Sequence, residues 1–458
     1  MQSVEATWRR QHAGRVAIVF LAVLIVGYMT ARIALHVASL VDLDRLVPVS
    51  GRDVVCAAPL MLVLWLAGTA LVLRFPIPKA AAWYSLLFAV RIIVAILLSA
   101  IFQYDDERVF HHAAVYQVYG IGSFAAGRAY YHLGNVLYSI FGANILLPKV
   151  VNVFLGSLLP YFAFDIARWL FGNRKAGWRA LLITGLFPPF IIFSAVNLKE
   201  IATGFCLVLI VWILLNPKKS YLWRFAGSGL CVWVLYWLRG APWAMVGIMG
   251  VFGYYTLTMR LRFSSFMKVA GLAVLGGVLV VPPLLDQIQQ MVWSRTTQEE
   301  YFITRFSGSE ATVTRFVDVE DPLSGRNLAV LFLRGLFFPS PLRFFMDYGI
   351  GTQVEALNML VWYVLFPLAV IAFLAYRRKG AAVACAVMTV GVLIIATMGI
   401  VVGGDPYRHR MVAAGLLASL AAGGVERDIL RCFQWVIWLW VLGAAGFTGL
   451  WIALRLGG

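Results

Sequence analysis

The feature that most constrains this chain is a succession of apolar runs, most of them about 20 residues long, separated by short polar connectors. A helix of that length spans the roughly 30 Å hydrocarbon core of a bilayer and satisfies its backbone N–H and C=O groups internally, which lipid cannot do for it. With 62% hydrophobic and only 13% charged residues, the chain cannot be a soluble globular protein. The expected fold class is all-α, a polytopic transmembrane helical protein of about thirteen spans. They lie near 16–40, 54–74, 81–103, 145–171, 179–197, 200–216, 225–240, 242–259, 267–285, 356–376, 381–402, 411–425 and 433–455. The first run exceeds a signal-peptide core and lacks a small-residue cleavage site, so it reads as a retained span. At Asn197 and Arg239 the flanking runs read either as separate helices or as broken ones.

The formal net charge of +17 raises the question of nucleic acid, but the basic residues are dispersed among short loops, and membrane topology accounts for them. One alternate set of loops holds Arg9, Arg10 and Arg15, then Arg74 and Lys79, Arg174, Lys175 and Arg179, Lys218, Lys219 and Arg224, Arg260, Arg262 and Lys268, Arg377–Lys379, and Arg427 with Arg431. The positive-inside rule makes these cytoplasmic. The other set faces outward and holds Asp42 and Asp44, the run Asp105–Glu107, Lys199–Glu200, Arg239, the segment 286–350 and Asp405–Arg410. The resulting organisation is N-terminal membrane helices (1–103), an outer catalytic loop (104–144), a membrane core (145–285), a long outer loop or lid (286–350) and C-terminal membrane helices (351–458). The 104–144 loop has no spanning run and mixes Tyr, His and apolar residues, as one or two amphipathic interfacial helices would. Cys56, Cys206, Cys231, Cys385 and Cys432 lie in or beside apolar segments without metal or disulfide spacing and read as packing residues.

The outer face carries the chemistry. Asp105, Asp106 and Glu107 follow a hydrophobic span directly, and carboxylates at that depth must be solvated, paired or used. Asp106 suits a general base, while the same triplet also suits a helix N-cap. Asn197-Leu198-Lys199-Glu200 is an outward turn where Lys199 and Glu200 either neutralise each other or serve a phosphate and the acidic site. Arg239 ends a Trp- and Tyr-rich span and either snorkels to headgroups or contacts phosphate. Arg408, His409 and Arg410 make an outward basic cluster against the positive-inside trend, which favours an anionic ligand. A carboxylate base opposite a basic clamp suits group transfer from a lipid phosphate, and inverting glycosyl transfer needs that arrangement.

Asp106-Glu107-Arg108-Val109-Phe110-His111-His112-Ala113 resembles the acidic-pair motif of the GT-C glycosyltransferases, the superfamily of lipid A aminoarabinose transferases and protein O-mannosyltransferases. The similarity extends through Leu137–Gly142, Val151-Asn152, Ala167–Gly172, Phe187-Pro188 and Glu200, with Tyr407–Arg410 resembling an Arg-Tyr element before a late helix. The resemblance implies a GT-C-like arrangement with interfacial helices in the first long outer loop. It implies Asp106 as catalytic base, Glu107 as its supporting acid and Glu200 as a second acidic position. Lys199, Arg239, Arg408 and Arg410 are the expected phosphate contacts, with Asp105, His111 and Tyr131 completing the substrate-contacting set. Three departures stand out: the motif follows the third span where many relatives have it after the first, Phe110 replaces the more usual tyrosine, and no prolines follow Arg410.

The implied partners are a polyprenyl-phosphate-linked sugar donor, the bilayer, and a lipid, glycan or protein acceptor, with no nucleic acid. The implied location is a bacterial inner membrane with the site on the periplasmic side. No cofactor is expected. The alternative is a divalent cation held by oxygen ligands such as Asp106 and Glu200. Adjacent His111 and His112 point about 100° apart on a helix and do not share one ion. Two rival functions stand beside this one: a polymerase or ligase of lipid-diphosphate-linked glycans working through arginines of 286–350, and a transporter or flippase. The transporter is disfavoured by the absence of paired broken-helix symmetry and by how few charges, Arg91 and Asp165 among them, lie within spans.

Overall fold

The computed structural model describes residues 49–101, 103, 105–116, 128–258, 336–337, 350–401 and 406–456. The described residues form helices joined by turns, with no strand among them. In chain order they are α1 (Gly51–Val72), α2 (Ala80–Ile101), α3 (Asp105–Tyr116), α4 (Arg128–Phe141), α5 (Leu146–Phe171), α6 (Arg174–Leu186), α7 (Pro188–Ser194) and α8 (Glu200–Leu215). They continue with α9 (Tyr221–Arg239), α10 (Ala241–Thr258), α11 (Ile350–Tyr376), α12 (Gly380–Val401), α13 (Pro406–Gly424), α14 (Arg427–Cys432) and α15 (Gln434–Leu456). Helices stand at eleven of the thirteen expected spans, and the runs at 16–40 and 267–285 lie outside the described residues. Among the described residues α1, α2 and α5 are each long and apolar enough to cross a membrane alone, and α6 with α7 passes as one bent span. The chain is a multi-pass membrane protein.

Local chemistry sets the helix ends. Ser50 and Asp53 form a reciprocal capping box at the start of α1, with the Ser50 Oγ accepting from the Asp53 N–H and Asp53 Oδ2 accepting from the Ser50 N–H at 2.8 Å. Helix α5 stops at Gly172, whose φ of 68° is the left-handed conformation that glycine adopts without a Cβ penalty. Prolines 188 and 189 end α6 and restart the chain as α7 at an angle of 54°.

Helix α5 lies at the centre of the bundle, buried along most of its length against α2, α6, α8 and α13. Large apolar side chains on α1, α9 and α15, including Leu62, Leu66, Leu222, Trp233, Trp438 and Leu442, are exposed as lipid-facing residues would be. The loops expected on one side of the membrane meet one another. Arg174 donates to the Pro76 carbonyl at 3.2 Å, Asn173 Nδ2 to Glu426 at 2.9 Å, and Lys379 to the Leu170 carbonyl. At the opposite end Asn144 Nδ2 donates to the Asp53 carbonyl at 2.7 Å, and the α7–α8 turn meets α3. Among the described residues, these contacts place loops of the two charge classes at opposite ends of the bundle.

Candidate functional site

The segment after α2, expected to hold one or two amphipathic helices, has two among its described residues, α3 and α4, packed on each other. The buried face of α3 carries Glu107, Phe110 and Ala114 at helical spacing, with Val109 and His112 turned outward. Phe110 packs edge-on to Tyr130, with ring centroids 5.2 Å apart, and against Tyr131 at 5.0 Å.

Glu107 is 0% exposed and sits deeper than a helix-surface acid does. Its Oε2 lies 2.7 Å from Lys149 Nζ on α5 and accepts the Asn197 backbone N–H at 2.9 Å. Lys149, also fully buried, donates to Ser99 Oγ on α2 at 2.8 Å. A second tie runs beside it. Asn152, one turn along α5 from Lys149, lies with its Nδ2 2.7 Å from the Val196 carbonyl, 2.8 Å from that of Leu198 and 3.0 Å from Tyr130 Oη. Tyr130 in turn donates to Asn197 Oδ1 at 2.9 Å. Burial pushes the Tyr130 pKa well above the usual phenol range, so its hydroxyl stays a donor. Four helices and the α7–α8 turn are thus pinned at one end of the bundle by two adjacent polar side chains of α5 and their partners. In a low-dielectric interior such a network rigidifies what it joins.

Lys199 and Glu200 occupy the turn so held. Lys199 is half-buried with Nζ 5.6 Å from the Phe110 ring centroid, within cation–π range. Glu200 is buried and ion-paired with Arg239, whose guanidinium also lies over Trp243 at 4.7 Å from the ring centroid. Both bland sequence readings, a Lys199–Glu200 pair and a snorkelling Arg239, differ from this: Glu200 reaches α9, and Arg239 is 5% exposed. Across the bundle Gly204 touches the Val412 backbone, where an added Cβ would lie 3.0 Å from its carbonyl oxygen, so the start of α13 runs beside the start of α8. Arg410 is buried there, against Met359 Sδ and with its guanidinium 5.7 Å from the Trp362 ring centroid.

His111 shares the inner side of α3, and its Nδ1 lies 2.8 Å from Tyr138 Oη on α4. Burial lowers its pKa to about 4, the neighbouring His112 adds to the fall, and Asp53 opposes it. Asp105 and Asp106 form the first turn of α3 and Arg408 the first turn of α13, while their side chains lie outside the described residues. Asp106 stands one residue before Glu107, about 100° around the helix. No group of three or more His, Cys, Asp or Glu side chains among the described residues is placed to hold a metal ion.

Of the residues named from the sequence, Glu107, Lys199, Glu200, Arg239, His111 and Tyr131 are brought to this end of the bundle, with Arg410 beside the start of α8. Sequence reasoning missed Lys149 as the partner of Glu107 and Tyr130 as the hub between Asn152 and Asn197. The available signal was a lysine and an asparagine three residues apart in an apolar run, where polar groups must find buried partners.

No protein-family model matches the chain, and no curated protein gives a significant match to it. Among solved structures, the ArnT protein of Cupriavidus metallidurans bound to undecaprenyl phosphate is 13% identical, with a TM-score of 0.46 over 82% of this chain and 73% of that one. The archaeal oligosaccharyltransferase AglB from Archaeoglobus fulgidus, in complex with an inhibitory peptide and a dolichol-phosphate, is 12% identical, with a TM-score of 0.42 over 80% of this chain. The chain spans 54% of the length of that oligosaccharyltransferase. At these scores the similarities say nothing about the site.

Proposed function

We propose that the protein is a glycosyltransferase of GT-C type, moving a sugar from a polyprenyl-phosphate donor to a lipid, glycan or protein acceptor at the periplasmic face of a bacterial inner membrane. One observation carries this reading: the acidic helix α3 and the cationic turn at Lys199 are locked onto the same end of the bundle through Glu107, Lys149, Asn152 and Tyr130. A base and a phosphate contact must be held at fixed separation for transfer, and rigid buried ties supply that at the moment of reaction.

In the proposed reaction Asp106 takes the proton from the acceptor hydroxyl or amine as that atom attacks the anomeric carbon. The carbon–oxygen bond to phosphate breaks on the opposite face, and the polyprenyl phosphate departs with the bonding electrons, giving inversion. Lys199, with Arg239, Arg408 and Arg410, receives the anion, and Asp105, His111 and Tyr131 line the acceptor side. Glu107, buried and engaged with Lys149 and Asn197, supports Asp106 by fixing α3 rather than by exchanging protons with substrate. Glu200 orients Arg239. The chemistry needs no metal.

The test is transfer from labelled polyprenyl-phosphate sugars by purified protein, comparing wild type with Asp106→Asn, with and without a chelator. Transfer that survives the chelator and is lost in Asp106→Asn, with thermal stability in detergent unchanged, is the expected result. Full activity of Asp106→Asn refutes the base assignment, and a wild type that consumes no such donor refutes the function.

A further inference from the structure

The break between α6 and α7 has an unusual repair. In an unbroken helix the backbone N–H groups at 188 and 189 would donate to the carbonyls four residues earlier, those of Thr184 and Gly185. Both positions are proline, so both donors are missing. Arg91, midway along α2 and 0% exposed, donates from Nη2 to these same two carbonyls, at 3.2 Å to Thr184 and 3.2 Å to Gly185. Its Nη1 donates to the Leu87 carbonyl at 3.3 Å, and no carboxylate pairs with it among the described residues. A cation within a membrane helix is costly unless it meets concentrated negative potential, and the C-terminal carbonyls of α6 provide that.

Downstream of the repair, α7 runs onto α5 at a point with no room for a side chain, since a Cβ on Gly156 would lie 2.4 Å from Ser194 Cβ. From there the chain enters the turn whose carbonyls and N–H are taken by Asn152 and Glu107 and which presents Lys199 and Glu200.

We infer that Arg91 is a positioning residue: by supplying the two hydrogen bonds that Pro188 and Pro189 cannot, it holds α7 at its 54° bend and so sets where the Lys199–Glu200 turn stands. The positioning of a catalytic turn rests on the function proposed above, whereas the pairing of Arg91 with the prolines does not.

The experiment is a mutant cycle read first by thermal unfolding in detergent. Arg91→Leu in the native background leaves two buried carbonyls without donors and lowers the unfolding temperature by roughly 5 °C or more, or prevents folding. In a Pro188→Ala/Pro189→Ala background, restored N–H groups serve those carbonyls, and the same Arg91→Leu change costs less than half as much. An equal loss in both backgrounds, or failure to fold in both, overturns the pairing.

The second readout is transfer by the folded triple variant. With the bend no longer enforced, kcat falls by roughly 10²-fold at near-native stability, because displacing a positioning element by about 1 Å has that effect. Native kcat in that variant overturns the positioning role while leaving the stability result standing. A wild type without transferase activity removes the function, and the cycle alone then decides the pairing.

Discussion

Glu107 and Lys149 offer the sharpest perturbation, because both are 0% exposed and face each other at 2.7 Å in a region without bulk water. Removing one partner of such a pair leaves an uncompensated buried charge, at a cost of about 3–5 kcal/mol, whereas removing both charges together is often close to neutral. In Glu107→Gln an amide oxygen at the place of Oε2 still accepts from both the Asn197 N–H and Lys149 Nζ, so the loss comes from removing the negative charge that faces the buried ammonium. In Lys149→Met the carboxylate keeps the Asn197 N–H and loses its counter-charge. Each single variant should therefore lose about 3 kcal/mol or more, and the Glu107→Gln/Lys149→Met double variant should recover at least about 2 kcal/mol relative to the sum. Thermal and denaturant unfolding of detergent-solubilised protein measure this. Additive losses across the cycle would refute the reasoning, since they would mean that the two groups do not share an interaction. The double variant should also keep measurable transfer, because Asn152 and Tyr130 still hold the turn, whereas abolished transfer at recovered stability would give Glu107 a part in the chemistry itself.

Tyr130→Phe removes the hydroxyl between Asn152 and Asn197 and should cost about 1–3 kcal/mol, with kcat reduced more than donor KM; unchanged stability would show that this link is not part of the pinning. His111 has a folded pKa of about 4 against an ordinary 6.5, so the unfolded chain binds a proton that the folded one refuses. Its contribution to stability is therefore full above pH 6.5 and is lost as the pH falls towards 4, and His111→Asn should flatten the unfolding profile over that window. An unchanged slope would assign the acid sensitivity to other groups.

Hydropathy period and loop charge were enough to mark the helices. Each apolar run has no low-energy state in lipid other than a helix, so the decision is local to about 20 residues. That is why the ends of α1, α2 and α5 fall close to the runs at 54–74, 81–103 and 145–171, and why the amphipathic 104–144 segment contains α3 and α4. The acidic triplet, the Lys199–Glu200 turn and Arg239 were legible as polar groups placed where polarity is expensive.

Which of those groups meet was a different kind of fact. Glu107 and Lys149 are 42 positions apart in the chain, and no helical period relates them; they pair because the fold brings the Glu107 carboxylate on α3 to the Lys149 ammonium on α5, where both are fully buried. Glu200 passes over its neighbour Lys199 for Arg239 because its place at the start of α8 brings it against the end of α9. In the sequence Arg91 is one of the few charges within a span and the run at 179–197 passes through Pro188 and Pro189 as one span; only the fold places the guanidinium on the two carbonyls those prolines orphan. Sequence alone determined which segments enter the membrane, because the cost of exposing backbone and charge to lipid is paid residue by residue. Only tertiary structure decided how the buried polar groups satisfy one another, because each needs a partner brought from elsewhere in the chain by packing.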